Sequence, residues 1–425
     1  MFGRDKPQVL VVGAGPVGLF TALTLARRGI KIRVVDEGWR TAAHSYALAL
    51  HPSSLRLMDE LKIADDIIAQ SYIVRKVGLY EGNERRAEID YSDLDGANNF
   101  VAVLPQSKLE EILETALETS GVPVKWNHRV SHIEPGNEHV DVTIDRMTME
   151  SLGYAVAHTE WIVASSNKHE IPFVVGTDGH TSMMRRSLGI EFENAGRTRY
   201  FAVFEFKTDF DLGGEMRVVL GERTTSVLWP LPGGFCRWSF ELTDFTVPPA
   251  SRAKDRFLIQ KEELPETSHE NLAHLLSVRA PWFTGGIDRV DWRTVVRFEQ
   301  RLATRFGSGR VWLAGDAAHM ALPVAVQSMN VGFSEGRRLG NDMADILKDD
   351  GDLSSLADFG SDCLDEWRLL LGLEGSVSPV ADAAPWVRKH ARRLISAIPA
   401  SGPDLERVLA RVGLSVISPE SSIST

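Results

Sequence analysis

The pattern of apolar and polar positions changes period several times along the chain. QVLVVGAG (residues 8–15) is a short, unbroken apolar run ending in glycines, the mark of a buried strand. PVGLFTALTLARRG (16–29) follows with helical spacing and a terminating Gly29, and KIRVVDE (31–37) is strand-like again, so residues 8–37 predict a β-α-β unit. PSSLRLMDELKIADDII (52–68) predicts one amphipathic helix begun at Pro52, since proline suits a first turn. SKLEEILETALETSG (107–121) predicts another, with Ser107 and Glu110 at capping-box spacing and Gly121 as its stop.

From 122 to 177 the pattern turns to strands, in VPVKWNHRV, HVDVTID, WIVASS and IPFVVGTDG. From 198 to 243 it does so again, in RYFAVFEFKTD, MRVVLG, TTSVLWPLP and FCRWSFELT, with PLPGG (230–234) as a turn. ENLAHLLSVRAPWF reads as helix, and RVDWRTVVRFEQRLATRF as strand leading into GSGRVWLAGDAA. The last hundred residues read as mostly helical, with a disordered tail, PESSIST. The expected architecture is α/β. A discontinuous Rossmann-like nucleotide-binding domain is drawn from 1–71, 105–195 and 300–345. A β-sheet-rich domain comes from 72–104 and 196–299, and a helical C-terminal region spans 346–418.

Composition narrows the partners more than the fold. The 425 residues are 43% hydrophobic and 25% charged, ordinary for a soluble globular protein. A formal charge of −11 without a long basic stripe argues against nucleic acid and against an anionic membrane as main partner. The short run RKHARR (388–393) reads as a solvated helix face. Cys236 and Cys363 lie far apart with no C-x-x-C, which fits a reducing cytoplasm, the expected location. MFGRDKPQ leads straight into the first strand with no signal-peptide pattern, and no stretch offers about 18 uninterrupted apolar residues for a membrane span. No metal site is expected, and no residue pattern sets an oligomeric state.

Three strand–turn junctions carry the candidate chemistry. GAGPVG (13–18) follows a buried strand and opens a helix. Gly13 permits the tight turn, Gly15 lets backbone approach a pyrophosphate, and Gly18 lets helix and strand pack closely. Asp36 ends the second strand where an acid binds a ribose diol, which suits FAD or NAD better than NADP. GTDGHTSMMR (176–185) follows the strand PFVV and is equally a plain turn with a helix cap. LAGDAAH (313–319) gives a third junction, where Asp316 either meets a polyol or caps a helix; His319 reads as a satisfied core histidine, with no carboxylate partner evident.

In this order the three junctions resemble the class A FAD-dependent aromatic hydroxylases, the flavoprotein monooxygenases similar to p-hydroxybenzoate hydroxylase, over residues 8 to about 345. LPQSKLEEIL adds a family-like Gln106 that contacts the flavin. The resemblance implies that Gly13, Gly15, Pro16 and Gly18 hold the FAD pyrophosphate and that Asp36, with Glu37 beside it, holds the adenosine ribose. Val130 is placed like the residue whose backbone meets adenine. Asp178 falls near the pyrophosphate, in a motif the family also uses around NAD(P)H. Gly315 and Asp316 fall on the ribityl chain and Pro323 against the ring, with Ser328, Met329 and Asn330 at its pyrimidine edge. It implies reduction of FAD by NAD(P)H, reaction with O2, and oxygen transfer from a flavin C4a-hydroperoxide to a small aromatic or polyketide-like substrate. The β-rich domain then forms the substrate pocket, with Trp229, Phe235, Trp238, Phe240 and Arg217 as candidates for its wall. No motif names a catalytic side chain.

Two departures stand out. Tyr46, in SYALALHP, replaces a family Arg that touches the flavin. PVAVQSMN (323–330) replaces Pro-x-Gly-x-x-Gly-x-Asn, so that Ala325 and Ser328 add side chains where the family prefers none; Ser328 reads as a helix cap and Ala325 as crowding the oxygen-adding face. A flavin halogenase lacks its W-x-W-x-I-P signature here. An FAD oxidase or dehydrogenase, or a catalytically degenerate flavin-binding partner protein, stays open as the alternative.

Overall fold

The computed structural model describes residues 6–39, 49–152, 158–247, 258–259, 264–349, 351–373 and 376–417. Its centre is a five-stranded sheet. Val9–Val12 lies between Ile32–Val35 and Phe173–Gly176, Val311–Leu313 follows, and these four run parallel; Gly307–Ser308 closes one edge antiparallel. Val9–Val12 and Phe173–Gly176 are buried along their whole length. That is why both read as unbroken apolar runs, since a parallel sheet is covered on both faces.

Two helices meet on this sheet through a stripe of glycines. In Gln327–Asp349, Gly332, Gly336 and Gly340 recur once per turn and face Val17, Thr21 and Thr24 of Pro16–Arg27. A Cβ on Gly336 would stand 2.3 Å from Thr21 Oγ1, and one on Gly332 2.7 Å from a Val17 methyl. The helices therefore lie backbone against backbone, with both N-termini at the carboxyl ends of the parallel strands, where open α/β sheets bind ligands.

The β-rich region is an eight-stranded sheet in the order Leu258–Ile259, Arg289–Phe298, Arg199–Lys207, Phe235–Leu242, Thr225–Leu231, Glu215–Leu220, Lys76–Glu81, Glu84–Asp90. Lys76–Glu81 joins it by parallel pairing with Glu215–Leu220, and Glu84–Asp90 follows, whereas Tyr72–Val74 and Val101–Val103, at the two ends of the same excursion, pair with each other in a separate three-stranded sheet with Ala49–Leu50. One face carries Phe201, Val203, Val227, Trp229 and Val296 toward the nucleotide-binding region. The other carries Phe204, Phe206, Trp238 and Phe240 against the helix His269–Arg279. Apolar alternation on both faces makes it a two-sided layer.

Four expectations change. The stretch 52–68 forms two helices, Pro52–Glu60 and Ala64–Ala69, separated by Lys62 at φ 59°. That turn lets Leu61 and Ile63 both enter the core; a continuous helix would aim them to opposite sides. The helix Gln106–Thr119 starts one residue before Ser107, with Pro105 at its cap, and Glu110 accepts from the Gln106 side chain at 2.7 Å instead of closing a capping box. In 122–130 only His128 onward forms strand, the first of a three-stranded antiparallel sheet. The C-terminal region holds, besides helices Ser354–Leu370, Pro385–Ile395 and Pro403–Arg411, a two-stranded ribbon of Ser376–Pro379 with Leu414–Ile417. The tail PESSIST lies outside the described residues. Among the described residues no helix is long and apolar enough to cross a membrane.

Candidate active site

The first turn is made by its glycines, each for a different reason. Gly13 sits at φ +105°, and a Cβ there would be 2.3 Å from the Thr177 carbonyl. At Gly18 a Cβ would be 2.0 Å from the Gly13 carbonyl. Gly15 differs: it has φ −72°, and nothing lies within 4 Å of where its Cβ would be. Among the described residues no contact requires glycine at 15, and close approach by a ligand accounts for it. Gly15 is also the N-cap of Pro16–Arg27 and offers no side-chain cap, so the first-turn amides point unsatisfied into the cleft beside it. Asp36 braces the turn, accepting from the Ala14 and Gly38 amides at 2.7 Å each.

The second and third junctions converge on the same place. Thr177 donates to the Val12 and Gly13 carbonyls at 2.9 and 3.1 Å, which locks the first and second junctions together. Arg185 joins the second to the third, donating to the Ala317 carbonyl at 2.6 Å and the His180 carbonyl at 2.7 Å while stacking on Phe192. Asp178 Oδ2 caps the helix Met183–Ser187, accepting from the Met183 and Met184 amides at 2.7 and 3.1 Å, so the turn-with-cap reading describes that oxygen. Its Oδ1 is buried without a partner, and desolvation raises the carboxyl pKa. Asp316 is open to the cleft yet walled in by protein, which raises its carboxyl pKa too.

The cleft has a volume of about 370 Å³. Of the expected site residues, Gly15, Pro16, Gly18, Gln106, Asp316, Pro323, Ser328 and Met329 line it. The others stand back from it. Gly13 lies under the turn, Asp36 and exposed Glu37 lie beyond its end, and Gly315, at φ +63°, is packed against Val17. Val130 turns its side chain into the core. Asn330 is 1% exposed, and its side chain binds the His51 amide and the Ala49 and Val326 carbonyls at 2.8–2.9 Å. Tyr46 lies outside the described residues.

Three readings of this segment are corrected. Ser328 lies inside the first turn of Gln327–Asp349, and its hydroxyl donates to Asp316 Oδ1 at 3.1 Å rather than capping the helix. Ala325 is fully buried, so its methyl does not face the cleft; Val326 does, from φ 54°. His319 is a core residue, as expected, but it has a carboxylate partner: its Nε2 donates to Glu335, 2.8 Å away. Glu335 also accepts from the Gly315 amide at 2.8 Å and from Trp367 Nε1 at 2.7 Å, and the His319 ring stacks on Trp367. This buried cluster fixes the third junction from behind. It escaped sequence reading because Glu335 stands sixteen residues on, inside an otherwise ordinary helix.

Pro323, Val324 and Val326 wall a second cavity, which they share with the inner face of the eight-stranded sheet. Phe201, Trp229, Trp292 and Phe298 line it, together with Arg237 and Ser239. Its volume is about 30 Å³, so an aromatic ligand enters only if this wall or its side chains yield. Arg237 is buried, ion-paired with Glu205 and placed over Trp292; desolvation lowers its pKa. Of the pocket-wall candidates, Trp229 faces this cavity. Trp238 and Phe240 face the helix His269–Arg279, Phe235 packs beside Arg289, and Arg217 pairs with Glu215 over Phe210 and Trp282. Strand parity separates Arg237 from Trp238: Cys236, Trp238, Phe240 and Leu242 form the apolar side of FCRWSFEL and pack on the helix, while the side with Arg237 and Ser239 turns to the cavity, an inward polar face that apolar patterning does not pick out.

Helix N-termini that converge at the carboxyl edge of a parallel sheet, beside a turn whose central glycine a ligand accounts for, define a dinucleotide-binding fold. Residues 6–369 match a family model described as an FAD binding domain. The chain belongs to that FAD-binding family, among whose members are class A flavoprotein hydroxylases. The 6-methylpretetramide 4-monooxygenase of Streptomyces rimosus is 29% identical over 346 residues, covering 81% of this chain and 57% of that protein. The chain thus spans little more than half of that relative's length. The para-nitrophenol 4-monooxygenase of Pseudomonas sp. strain WBC-3 is 27% identical over 368 residues, covering 83% of this chain and 82% of that protein. The crystal structure of p-nitrophenol 4-monooxygenase PnpA from Pseudomonas putida DLL-E4 shares the fold, with a TM-score of 0.69 at 21% identity over 96% of this chain and 93% of that one.

Proposed function

We propose that this chain is an FAD- and NAD(P)H-dependent monooxygenase that hydroxylates or epoxidises an aromatic or polyketide-like small molecule. The observation that carries the reading is the shared wall: Pro323 and Val326 border both the cleft at the helix N-termini and the aromatic cavity on the sheet. A ring held at one face of this wall lies next to a flat substrate held at the other. The relatives named above bear the names of aromatic and polyketide-type monooxygenases, which supports the substrate class.

The donor set fits FAD. Gly13, Gly15, Pro16 and Gly18 would hold the pyrophosphate against the first-turn amides, and Asp36 would take the adenosine ribose once its oxygens exchange protein amides for hydroxyls. Asp316 would accept from the ribityl hydroxyls, with Ser328 holding its carboxylate in place. Gln106, Met329 and the amides that open Gln327–Asp349 would meet the ring edge. When bound, FAD would supply the redox chemistry, with NAD(P)H as reductant and O2 as oxidant, one oxygen atom going to the substrate and the other leaving as water. The chain's own task is to orient the substrate and keep water out, through Phe201, Trp229, Trp292 and Phe298. Arg237 with Glu205 gives that apolar box a neutral, paired polar wall, suited to a hydroxylated aromatic ring rather than to an isolated carboxylate.

The test is NAD(P)H oxidation by FAD-loaded protein across a panel of phenols and fused-ring polyphenols. Stimulation by a subset of them, with a hydroxylated product, is expected. Reduction of the flavin by the substrates themselves, without NAD(P)H, would make it an oxidase or dehydrogenase instead.

A further inference from the structure

The family match ends at 369, yet the chain beyond it reaches back to the loop that separates the two cavities. Gln327, 2% exposed, donates from Nε2 to the Ile395 carbonyl at 2.8 Å. On the other side of the loop stands His51, fully buried. Its Nε2 is 2.7 Å from the Ala325 carbonyl, its Nδ1 is 3.1 Å from Ser401 Oγ, and Ser401 Oγ is 2.8 Å from Ser53 Oγ.

The direction of this chain of contacts follows from its end. A carbonyl only accepts, so His51 Nε2 carries a hydrogen. Burial pushes the imidazole down to about 4, so the ring is neutral and Nδ1 holds a lone pair. Ser401 then donates to Nδ1 and accepts from Ser53. Hydrogen bonds thus run one way, from Ser53 through Ser401 and His51 to the carbonyl before Val326. The carbonyl of Val326 itself accepts from Asn330 Nδ2, whose Oδ1 takes the His51 amide. Both peptides flanking Val326 are pinned.

Val326 needs pinning. A β-branched residue at φ 54° is in a region it rarely adopts, and such a conformation persists only where its surroundings over-determine it. The family pattern places glycine next to it, where this chain has Ala325.

We propose that the C-terminal segment acts as a brace on this loop, with Ser401 and Gln327 as positioning residues that set where the flavin ring and the aromatic cavity meet. The inference rests on the flavin reading of the cleft and not on oxygen transfer. The brace fixes with side chains a left-handed residue in a loop that has no glycine at 325 or 328.

The experiment uses the full FAD-loaded chain. Ser401→Ala should raise amide hydrogen exchange in residues 321–330 roughly tenfold, the effect of one buried hydrogen bond, and shift the visible spectrum and reduction potential of the bound flavin. Ser401→Thr, which keeps the hydroxyl, should restore both. Tyr91 donates to the Pro399 carbonyl at 2.8 Å and anchors the same segment without touching the loop, so Tyr91→Phe should lower stability and leave loop exchange and flavin spectrum alone. Wild-type exchange and spectrum in Ser401→Ala, or the same changes in Tyr91→Phe, would overturn the brace. Gln327→Met carries the same expectation should Ser401→Ala not fold; failure of both to fold would also overturn it, since the segment would then be a folding requirement. Wild-type protein that binds FAD but transfers no oxygen refutes only the monooxygenase reading. If it binds no FAD, the flavin reading fails, and loop exchange in the unloaded chain still decides the brace.

Discussion

The two turns that face the cleft reach the same end by opposite means. At residues 13–18 the backbone path is local: Gly13 and Gly18 take a conformation or close contacts that other residues do not tolerate, and Asp36 and Thr177 assist. At residues 323–330 the path is imposed. No glycine is present, Val326 is held in a left-handed conformation, and Asn330 from the segment itself, with His51 and Ser401 from two distant parts of the chain, holds it there. A turn built from glycine is robust to its surroundings; a turn built by side chains inherits the pH dependence and the fragility of whatever grips it.

The comparison breaks most visibly at Gly18. Gly18→Ala drives a Cβ into the Gly13 carbonyl, a backbone atom with nowhere to go, and should cost about 3 kcal/mol or more in denaturant unfolding, with loss of flavin. Gly15→Ala should cost no more than about 1 kcal/mol, the loss of a glycine N-cap, while FAD retention falls, because among the described residues nothing meets the new methyl. Equal stability losses at 15 and 18 would refute the distinction drawn between them.

The second turn should show its dependence on His51 through pH. The folded-state pKa is about 4 against an ordinary 6.5, so between those values the unfolded chain binds the extra proton and the native state does not. Stability from this site is fully present above pH 6.5 and is lost as pH falls toward 4, by about 3 kcal/mol in all. Unfolding of wild type and His51→Gln compared across that range should show the slope in wild type and a flatter profile in the variant.

Smaller effects sharpen the picture. Asp316→Ala removes the carboxylate that lines the cleft and should speed FAD dissociation at least about tenfold, read from flavin fluorescence on dilution. Val326→Gly should stay within about 1 kcal/mol of wild type in unfolding, because relief of the left-handed conformation offsets the lost side chain. A loss of several kcal/mol would mean that Val326 is held by packing and that its backbone carries little strain.

What the sequence revealed follows the same division. The first turn, the parallel strands and the eight-stranded sheet announce themselves in local patterns, since each depends on residues a few positions apart. The inward face of Phe235–Leu242 did not, because the side turned to the cavity is the polar one, with Arg237 and Ser239, and the apolar side with Trp238 packs on a helix instead. Glu335 behind His319, and the grip on Ala325 by His51 backed by Ser401, were hidden for a different reason. They join residues whose only relation is the fold itself, up to 350 positions apart. Ala325 looked like an intrusion on the flavin; in three dimensions its methyl is buried and its carbonyl is the handle by which the loop is held.

The most direct test of the function is the fate of oxygen. FAD-loaded protein is given NAD(P)H, a phenol that stimulates its oxidation, and isotopically labelled O2, and the product is weighed by mass spectrometry. One labelled oxygen atom per product, with NAD(P)H consumed in step, is the predicted result. Product formed without label, or NAD(P)H consumed with no oxygenated product from any phenol or polyphenol in the panel, would contradict it.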